Sequence, residues 1–247
     1  MTTDEVWKLP AIVDRFLSYR AAIPLAQEQV AVMMSILRTR SAPVETFLDL
    51  GCGDGILGAA VLGEYPSARG VLIDFSERML DQARTQLRDH ADQLDFFNLD
   101  YGDPAWINRI QKLGPFDAIV SGYSIHHQPD ERKRSLYREI FSMLHPDGWF
   151  VNIEHVSSAA QTNIDLFEEH YLSARHAIEK QNGGLRSYHQ IAEEYKNRPD
   201  RTANLLTPVE LQCDWLREFG YQEVDCYFRI YELAVFAGRR PIENLQS

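Results

Sequence analysis

The sequence has few cysteines and no hydrophobic run long enough to cross a membrane. Its three cysteines, Cys52, Cys213 and Cys226, are widely spaced among 247 residues and form neither a CxxC pair nor a zinc-ribbon spacing. This usage predicts free thiols in a reducing compartment. The longest apolar run, residues 30–37, is too short to span a bilayer, and the N-terminus lacks the apolar core of a signal peptide. We therefore expect a soluble, cytoplasmic protein without a membrane-spanning helix.

Basic residues are also in deficit. The chain has 25 lysines and arginines against 36 aspartates and glutamates, which gives a formal net charge of -11. A surface this acidic repels nucleic acid phosphates unless a local basic patch intervenes, and the sequence has no basic stretch interleaved with aromatic residues. We therefore expect no nucleic acid partner, and the acidic balance favours a small-molecule substrate.

Short apolar runs alternate with helical patterns through the middle of the chain. The predicted strands are 46–50, 70–75, 94–99, 116–122 and 149–154, and the predicted helices between them lie near 55–64, 76–90, 103–113 and 130–144. Such alternation is typical of a parallel sheet built from βαβ units. The sequence HPDG at 145–148 predicts a turn before the fifth strand. We expect an α/β protein.

Other elements flank this alternating region. Residues 11–23 and 24–40 predict two helices, the second opened by Pro24. The apolar run 30–37 of the second helix predicts either packing onto the core or a homodimer contact. Near the end, Thr207 is the predicted N-cap of a helix with Pro208 at its first position and Gly220 at its end. Two β-rich runs follow, 224–230 and 231–239, and their short connection predicts antiparallel pairing.

No linker divides the chain, so we expect one domain over residues 1–247. Its segments are N-terminal helices at 1–40, a cofactor-binding core at 45–155, a helical lid at 156–206, and a final helix with a strand pair at 207–240.

A glycine-rich turn follows the first predicted strand. Asp49 ends the strand, Gly51, Gly53 and Gly55 form the turn, and Asp74 ends the second strand. Glycines are needed where the backbone adopts positive φ or approaches a ligand closely. The helix that begins after the turn offers free N–H groups to an anionic group. A carboxylate at Asp74 is placed to bind both hydroxyls of a ribose. The segment therefore predicts a nucleotide site.

Two cofactor classes use this arrangement. A dinucleotide fingerprint can be drawn through Gly53, Gly55 and Gly58, but Asp74 then lies early for the expected spacing. A buried carboxylate at Asp49 would also repel a pyrophosphate, whereas it suits a ligand that carries an ammonium or sulfonium. S-Adenosylmethionine carries both. The D-x-G-x-G-x-G pattern gives a role to Asp49 as well as to Gly51, Gly53 and Gly55.

The segment LDLGCGDG with Asp74 resembles the first two motifs of class I S-adenosylmethionine-dependent methyltransferases. FNLDYGD at 97–103, FDAIVSGYSIHHQPD at 116–130 and LHPDGWFVNIE at 144–154 resemble the motifs that follow in that family. The resemblance implies a Rossmann-like, doubly wound sheet of about seven strands, mostly parallel, that ends in an antiparallel hairpin.

The same resemblance implies which residues bind the cofactor. Gly51 and Gly53 would lie against its methionyl part, and Asp74 would bind the ribose hydroxyls. Asp100 would bind the adenine amino group, and Ser121 or Gly122 would line the sulfonium region. The expected cofactor-binding set is Asp49, Gly51, Gly53, Asp74, Phe75, Asp100, Tyr101 and Ser121.

Methyl transfer needs alignment above all, and a base only where the nucleophile must lose a proton. Histidine is the natural base near neutral pH. His126 and His127 follow the fourth predicted strand and His155 follows the fifth, so all three are expected at the carboxyl edge of the sheet, where ligands bind. They are the candidate catalytic residues, and the alternative is that they only shape the cofactor pocket. No HxxxH or HxH spacing supports a metal site.

The candidate substrate-binding residues lie in the N-terminal helices and the lid. They are Tyr19, Arg20, Arg175 and Arg198, since arginine can hold an anionic substrate with two hydrogen bonds. In outline, the C-terminal region is similar to that of carboxy-S-adenosylmethionine synthases, which modify the cofactor. The leading hypothesis is a methyltransferase that acts on a small molecule. The alternatives are such a synthase, a protein that binds S-adenosylmethionine without turnover, and an NAD-dependent oxidoreductase.

Overall fold

The computed structural model describes residues 9–242, and its sheet has seven strands. The strands are β1 (Thr46–Leu50), β2 (Arg69–Asp74), β3 (Leu94–Asn98), β4 (Phe116–Gly122), β5 (Leu144–His155), β6 (Gln222–Ile230) and β7 (Leu233–Arg239). Their spatial order is β3-β2-β1-β4-β5-β7-β6. The first five pair in parallel, and β7 is antiparallel to both of its neighbours. The predicted Rossmann-like sheet and its antiparallel end are confirmed.

Nine α-helices lie within the described part of the chain, together with several short 3₁₀ turns. They are α1 (Pro10–Tyr19), α2 (Ala26–Leu37), α3 (Ile56–Glu64), α4 (Glu77–Gln86), α5 (Ile107–Ile110), α6 (Asp130–Met143), α7 (Gln161–Gln181), α8 (Tyr188–Lys196) and α9 (Val209–Glu218). The strand order reverses between β1 and β4. In an open α/β sheet, ligands bind in the crevice at the carboxyl ends of the strands beside such a reversal. Within residues 9–242, no helix is both long and apolar enough to cross a membrane.

The two faces of the sheet bury separate hydrophobic clusters. Successive side chains of β1 alternate between them, with Phe47 in one cluster and Leu48 in the other. The predicted run 30–37 belongs to the first cluster, where Met33 and Leu37 are fully buried. This helix therefore packs onto the core, the first of the two roles that its apolar residues predicted. Of the predicted N-terminal segment, residues 1–8 lie outside the described part of the chain.

The turn predicted at HPDG is wrong, because these four residues lie inside β5. Leu144 pairs with Phe116 and Trp149 pairs with Ala118, so residues 145–148 form a bulge between two paired positions. Asp147 adopts a left-handed φ of 68°, and its carboxylate accepts hydrogen bonds from the amide of Ser41 at 2.9 Å and from its hydroxyl at 2.7 Å. These bonds to a distant segment stabilise a bulge where a turn was expected.

Two predicted helix starts are also corrected. Helix α2 begins two residues after Pro24, because Leu25 has a left-handed φ of 52°. Thr207 does not cap α9: its hydroxyl donates to Asp130 at 2.5 Å and accepts from Lys133 at 2.6 Å. Pro208 is the residue before the helix.

Candidate active site

The three glycines of the turn after β1 all have positive φ, as predicted. The angles are 67° at Gly51, 54° at Gly53 and 83° at Gly55. A Cβ at Gly51 would collide with the side chain of Ser124, whereas a Cβ at Gly53 would meet no atom within 4 Å. The turn is therefore tightly packed on one side and open toward a cavity on the other. Helix α3 begins directly after it, at Ile56.

Asp49 is fully buried at the end of β1. Its Oδ2 accepts a hydrogen bond from the amide of Gly58 at 2.9 Å, whereas its Oδ1 has no partner among residues 9–242. Burial raises the pKa of Asp49 to about 7. An unpaired carboxylate oxygen in a buried position fits a cationic ligand group, which would favour its ionised form.

Asp74 lies at the end of β2, opposite the glycine turn. Its Oδ2 accepts from the amide of Gly53 at 2.9 Å and its Oδ1 from the amide of Ser76 at 2.8 Å. Burial raises the pKa of Asp74 to about 6, although these two hydrogen bonds oppose the shift. Each oxygen keeps a lone pair for a further donor. The carboxylate is thus held rigidly against the glycine turn.

A cavity of about 630 Å³ opens between the glycine turn and helices α1 to α3. Asp49, Gly51 and Gly53 form its polar end, and side chains such as Val30 and Leu57 form its apolar wall. A smaller cavity of about 60 Å³ adjoins it and is lined by Asp74, Phe75, Gly51 and Gly53, among others. The unpaired oxygen of Asp49 and the open face of Gly53 fit the aminoacyl end of the predicted cofactor.

Three of the predicted cofactor residues are occupied by hydrogen bonds within the protein. Ser121 is fully buried and its hydroxyl donates to the carbonyl of Leu50 at 2.7 Å. The Tyr101 hydroxyl is 2.6 Å from Oγ of Ser124. Asp100 is exposed, and its Oδ1 accepts from the amide of Gly102 at 2.7 Å.

The structure brings the three predicted catalytic histidines together. The ring centres of His126 and His127 are 4.0 Å apart, and those of His126 and His155 are 5.7 Å apart. All three line a cavity of about 110 Å³ at the carboxyl edge of β4 and β5. Within residues 9–242, no three histidine, cysteine, aspartate or glutamate side chains are arranged to hold a metal ion.

His126 is bound to the fully buried Glu154 at two points. Its Nδ1 lies 2.6 Å from Oε1, and its backbone amide donates to Oε2 at 2.9 Å. Burial raises the pKa of Glu154 and lowers the pKa of His126 well below its usual value. Burial therefore favours the neutral imidazole, and the carboxylate partner requires its proton on Nδ1, which leaves the lone pair on Nε2.

Aromatic side chains and one cation complete the histidine cavity. Phe167, Tyr171 and Tyr195 come from the lid helices. The guanidinium of Arg198 lies 3.8 Å from the ring centre of Tyr195 and donates from Nη1 to the Tyr195 carbonyl at 2.7 Å. Its Nε faces Asp200 at 3.4 Å. Two of its three nitrogens are thus engaged, and the cation is held in place at the cavity wall.

The other predicted substrate residues lie elsewhere. Arg20 pairs with Asp54 and lines the larger cavity beside the glycine turn. Tyr19 is buried, with the Arg175 guanidinium 4.0 Å from its ring centre, and its hydroxyl donates to Glu179 at 3.2 Å. These contacts join α1 to the lid. Of the four predicted substrate residues, Arg198 alone is placed among the histidines.

Phe16 and Tyr123 were not predicted, yet they line all three cavities. Tyr123 directly follows β4 in a left-handed conformation with a φ of 51°, and its hydroxyl donates to Gln29 on α2 at 2.6 Å. A signal was available, because a residue just after the end of a parallel strand faces the ligand crevice. His127 also lines both the histidine cavity and the one at Asp74. The cavities therefore meet at these side chains.

Comparison with known proteins identifies methyltransferases among the proteins that this chain is similar to. A family model described as a methyltransferase domain matches residues 47–148. A demethylmenaquinone methyltransferase of Chlamydia caviae is 28% identical over 181 residues, covering 72% of this chain and 75% of that protein. A trans-aconitate 2-methyltransferase of Escherichia coli is 29% identical over 188 residues, covering 76% of this chain and 60% of that protein.

A solved structure shows the same fold. An O-methyltransferase family protein from Burkholderia thailandensis superposes with a TM-score of 0.64 at 18% identity, over 94% of this chain and 60% of that one. The chain thus spans less than two thirds of the Escherichia and Burkholderia proteins.

Proposed function

We propose that the chain, which belongs to the class I S-adenosylmethionine-dependent methyltransferases, transfers a methyl group to an oxygen or nitrogen atom of a small acceptor. One observation carries this proposal: the cavity lined by the three histidines adjoins the cofactor cavity, and the two share Phe16 and Tyr123. An acceptor among the histidines would therefore lie next to the cofactor.

S-Adenosylmethionine is the cofactor, and when bound it supplies a methyl group on a positively charged sulfonium. We assign Asp49 to its ammonium group, because Oδ1 of Asp49 is buried without a partner among the described residues. Asp74 and Phe75 line the smaller cavity and are assigned to the ribose and the adenine. Arg20 lines the larger cavity, and we assign it to the cofactor carboxylate rather than to the acceptor.

His126 is the proposed base. Nδ1 of His126 donates to Glu154, which leaves Nε2 to the side chain of Asn204. An acceptor would take the place of Asn204 at Nε2, whose lone pair would receive a proton from its hydroxyl or amine. The carboxylate would also stabilise the imidazolium that forms, as the third member of a catalytic triad does. His127 and His155 line the same cavity and orient the acceptor.

Arg198 is the proposed acceptor-binding residue. Its Nη2 makes no hydrogen bond within residues 9–242, while Nη1 and Nε are engaged. A guanidinium fixed in this way loses little side-chain entropy when it binds an oxygen of the acceptor. Tyr19 and Arg175 act indirectly, by holding the lid against α1.

The test is transfer of a deuterated methyl group. Purified protein is incubated with deuteromethyl S-adenosylmethionine and fractions of a small-molecule extract, and the products are analysed by mass spectrometry. The proposal predicts S-adenosylhomocysteine together with one labelled small molecule. Unchanged cofactor with every fraction would contradict it, as would a chemically modified cofactor that still carries the labelled methyl group.

Three further expectations remain proposals. We place the protein in the cytoplasm, on the basis of its cysteine usage, and expect no nucleic acid partner because of its net charge of -11. Sedimentation of the purified protein tests whether it forms a homodimer, the second of the two roles that the run 30–37 left open.

A further inference from the structure

Lys133 on α6 is a lysine with only 1% of its surface exposed. Its ammonium group makes three hydrogen bonds: to Oδ1 of Asp130 at 3.0 Å, to Oγ1 of Thr207 at 2.6 Å and to the carbonyl of Leu205. All three donors are therefore used. Buried lysines are rare and need such pairing, and nothing in methyl transfer itself requires this one.

The bonds of Lys133 fasten the segment by which the chain returns from the lid, residues 203–207, which we call the return segment. This segment also contacts both histidines of the 3₁₀ turn after β4. The carbonyl of Ala203 accepts from Nδ1 of His127 at 3.0 Å. The amide of Leu205 donates to the carbonyl of His126 at 2.9 Å. A shift of the return segment would therefore move both imidazoles.

The charge of Lys133 also reaches the proposed base. Burial is the main cause of the lowered pKa of His126, and His155 and Lys133 lower it further. Burial raises the pKa of Glu154, and Lys133 opposes that shift. Asn204, by contrast, forms a side-chain hydrogen bond that raises the pKa of His126. The polar groups around His126 come from four elements: the 3₁₀ turn after β4 (His127), β5 (Glu154 and His155), α6 (Lys133) and the return segment (Asn204). Arg198 and Asp200 lie on the same cavity wall.

We propose that Lys133 is a positioning residue of the acceptor site: its ammonium group fixes the return segment over His126 and His127 and places a permanent positive charge behind His126. The charge adds to the effect of burial in favouring the neutral form of the His126 imidazole, which is the form that can accept a proton. This role rests on the proposed function in one respect, namely that His126 is the base. The positioning itself can be measured without any acceptor.

The experiment is an NMR titration of histidine-labelled protein, with His126 assigned from the spectrum of His126→Asn. Lys133→Met removes the charge and keeps an apolar stem of similar length. We expect the titration midpoint of His126 to rise by about one pH unit, because a like charge nearby is lost. The resonances of His127 should also move, because its partner Ala203 belongs to the return segment, which Lys133 no longer fastens. Lys133→Arg keeps the charge and should leave the His126 midpoint within about 0.3 units of wild type.

Controls separate this effect from general damage. Lys112→Met removes an exposed lysine and should change neither midpoint, and the Kd for S-adenosylmethionine should stay within about twofold in every variant. If Lys133→Met does not fold, Lys133→Gln replaces it with the same prediction.

A folded variant without the charge that leaves the His126 midpoint and the His127 resonances unchanged would overturn the proposal. So would an equal shift in Lys133→Arg. A protein without methyl transfer activity but with the expected shifts would contradict the proposed function alone.

Discussion

Glu154 holds His126 at two points, through the imidazole Nδ1 at 2.6 Å and through the backbone amide at 2.9 Å. The two residues come from different strand ends, His126 from the turn after β4 and Glu154 from β5. The imidazole therefore has one orientation and one tautomer, as a general base requires.

Loss of His126, the proposed base, should lower turnover without weakening cofactor binding. We expect His126→Asn to reduce kcat by about 10²- to 10⁴-fold, the usual contribution of a general base. Glu154→Gln should give a smaller loss, because Nε2 remains but its orientation is less secure. Initial rates with the identified acceptor, and the Kd for S-adenosylmethionine, measure both effects. His189→Asn, on an exposed residue of α8, is the matched control. A full rate in His126→Asn would contradict the role of this histidine.

Cofactor affinity should fall as the pH drops below 7. The pKa of Asp49 is raised to about 7 by burial, and in the proposed assignment the ammonium of the cofactor binds the ionised carboxylate. Protonation of Asp49 therefore competes with binding, and we expect affinity to be about tenfold lower at pH 6 than at pH 8. Isothermal titration at both pH values measures the change. Asp49→Asn should bind more weakly and lose most of this dependence, whereas an equal pH dependence in the variant would exclude Asp49 as its source.

Arg175 should contribute to stability rather than to catalysis. It is 4% exposed, and its guanidinium lies 4.0 Å from the ring centre of Tyr19 and 5.8 Å from those of Tyr171 and Tyr195. We expect Arg175→Ala to lower the free energy of unfolding by about 1–3 kcal/mol, because stacking and lid packing are lost. Arg84→Ala removes an exposed ion pair on α4 and should change the free energy of unfolding by less than about 1 kcal/mol. Equal denaturant midpoints for the two variants would refute the assignment.

Gly51, in the turn after β1, and Gly63, near the end of helix α3, should respond to alanine in opposite directions. Gly51 has a φ of 67° and faces Ser124 closely, so Gly51→Ala should cost about 1–3 kcal/mol and impair cofactor binding. A Cβ at Gly63, on helix α3, would meet no atom within 4 Å. Gly63→Ala should therefore stabilise the protein by about 0.5–1 kcal/mol. Thermal melts with and without S-adenosylmethionine measure both. Similar behaviour of the two variants would show that the turn is less constrained than the structure indicates.

The sequence predicted most of the fold because its apolar runs are short and clearly bounded. The bounds predicted for β1 and β4 match the structure, since glycine and polar residues end both runs. The bulge at Asp147 and the side-chain contacts of Thr207 could not be predicted in this way. Their partners, Ser41 and Lys133, are more than 70 positions away in the sequence, and local propensity carries no information about them.

The site was predicted unevenly for the same reason. The glycine turn and the three histidines follow from local pattern and from their place at strand ends. The link between His126 and Glu154 could not be read from the sequence, because it depends on the side-by-side pairing of β4 and β5. Arg175 was predicted to bind the acceptor because arginine can hold an anionic substrate with two hydrogen bonds. Only the packing of α7 against α1 shows that its side chain is buried beneath Tyr19.

The proposed function depends most on the glycine turn and Asp74 as the binding site for S-adenosylmethionine. Isothermal titration of the wild type and of Asp74→Ala with this cofactor, and separately with NAD, tests that claim most directly. We predict micromolar binding of S-adenosylmethionine, weakened about tenfold or more by the substitution, because a hydrogen-bonded charged group is lost. NAD should not bind. Equal affinity of the variant and the wild type for S-adenosylmethionine, or binding of NAD in its place, would contradict the account.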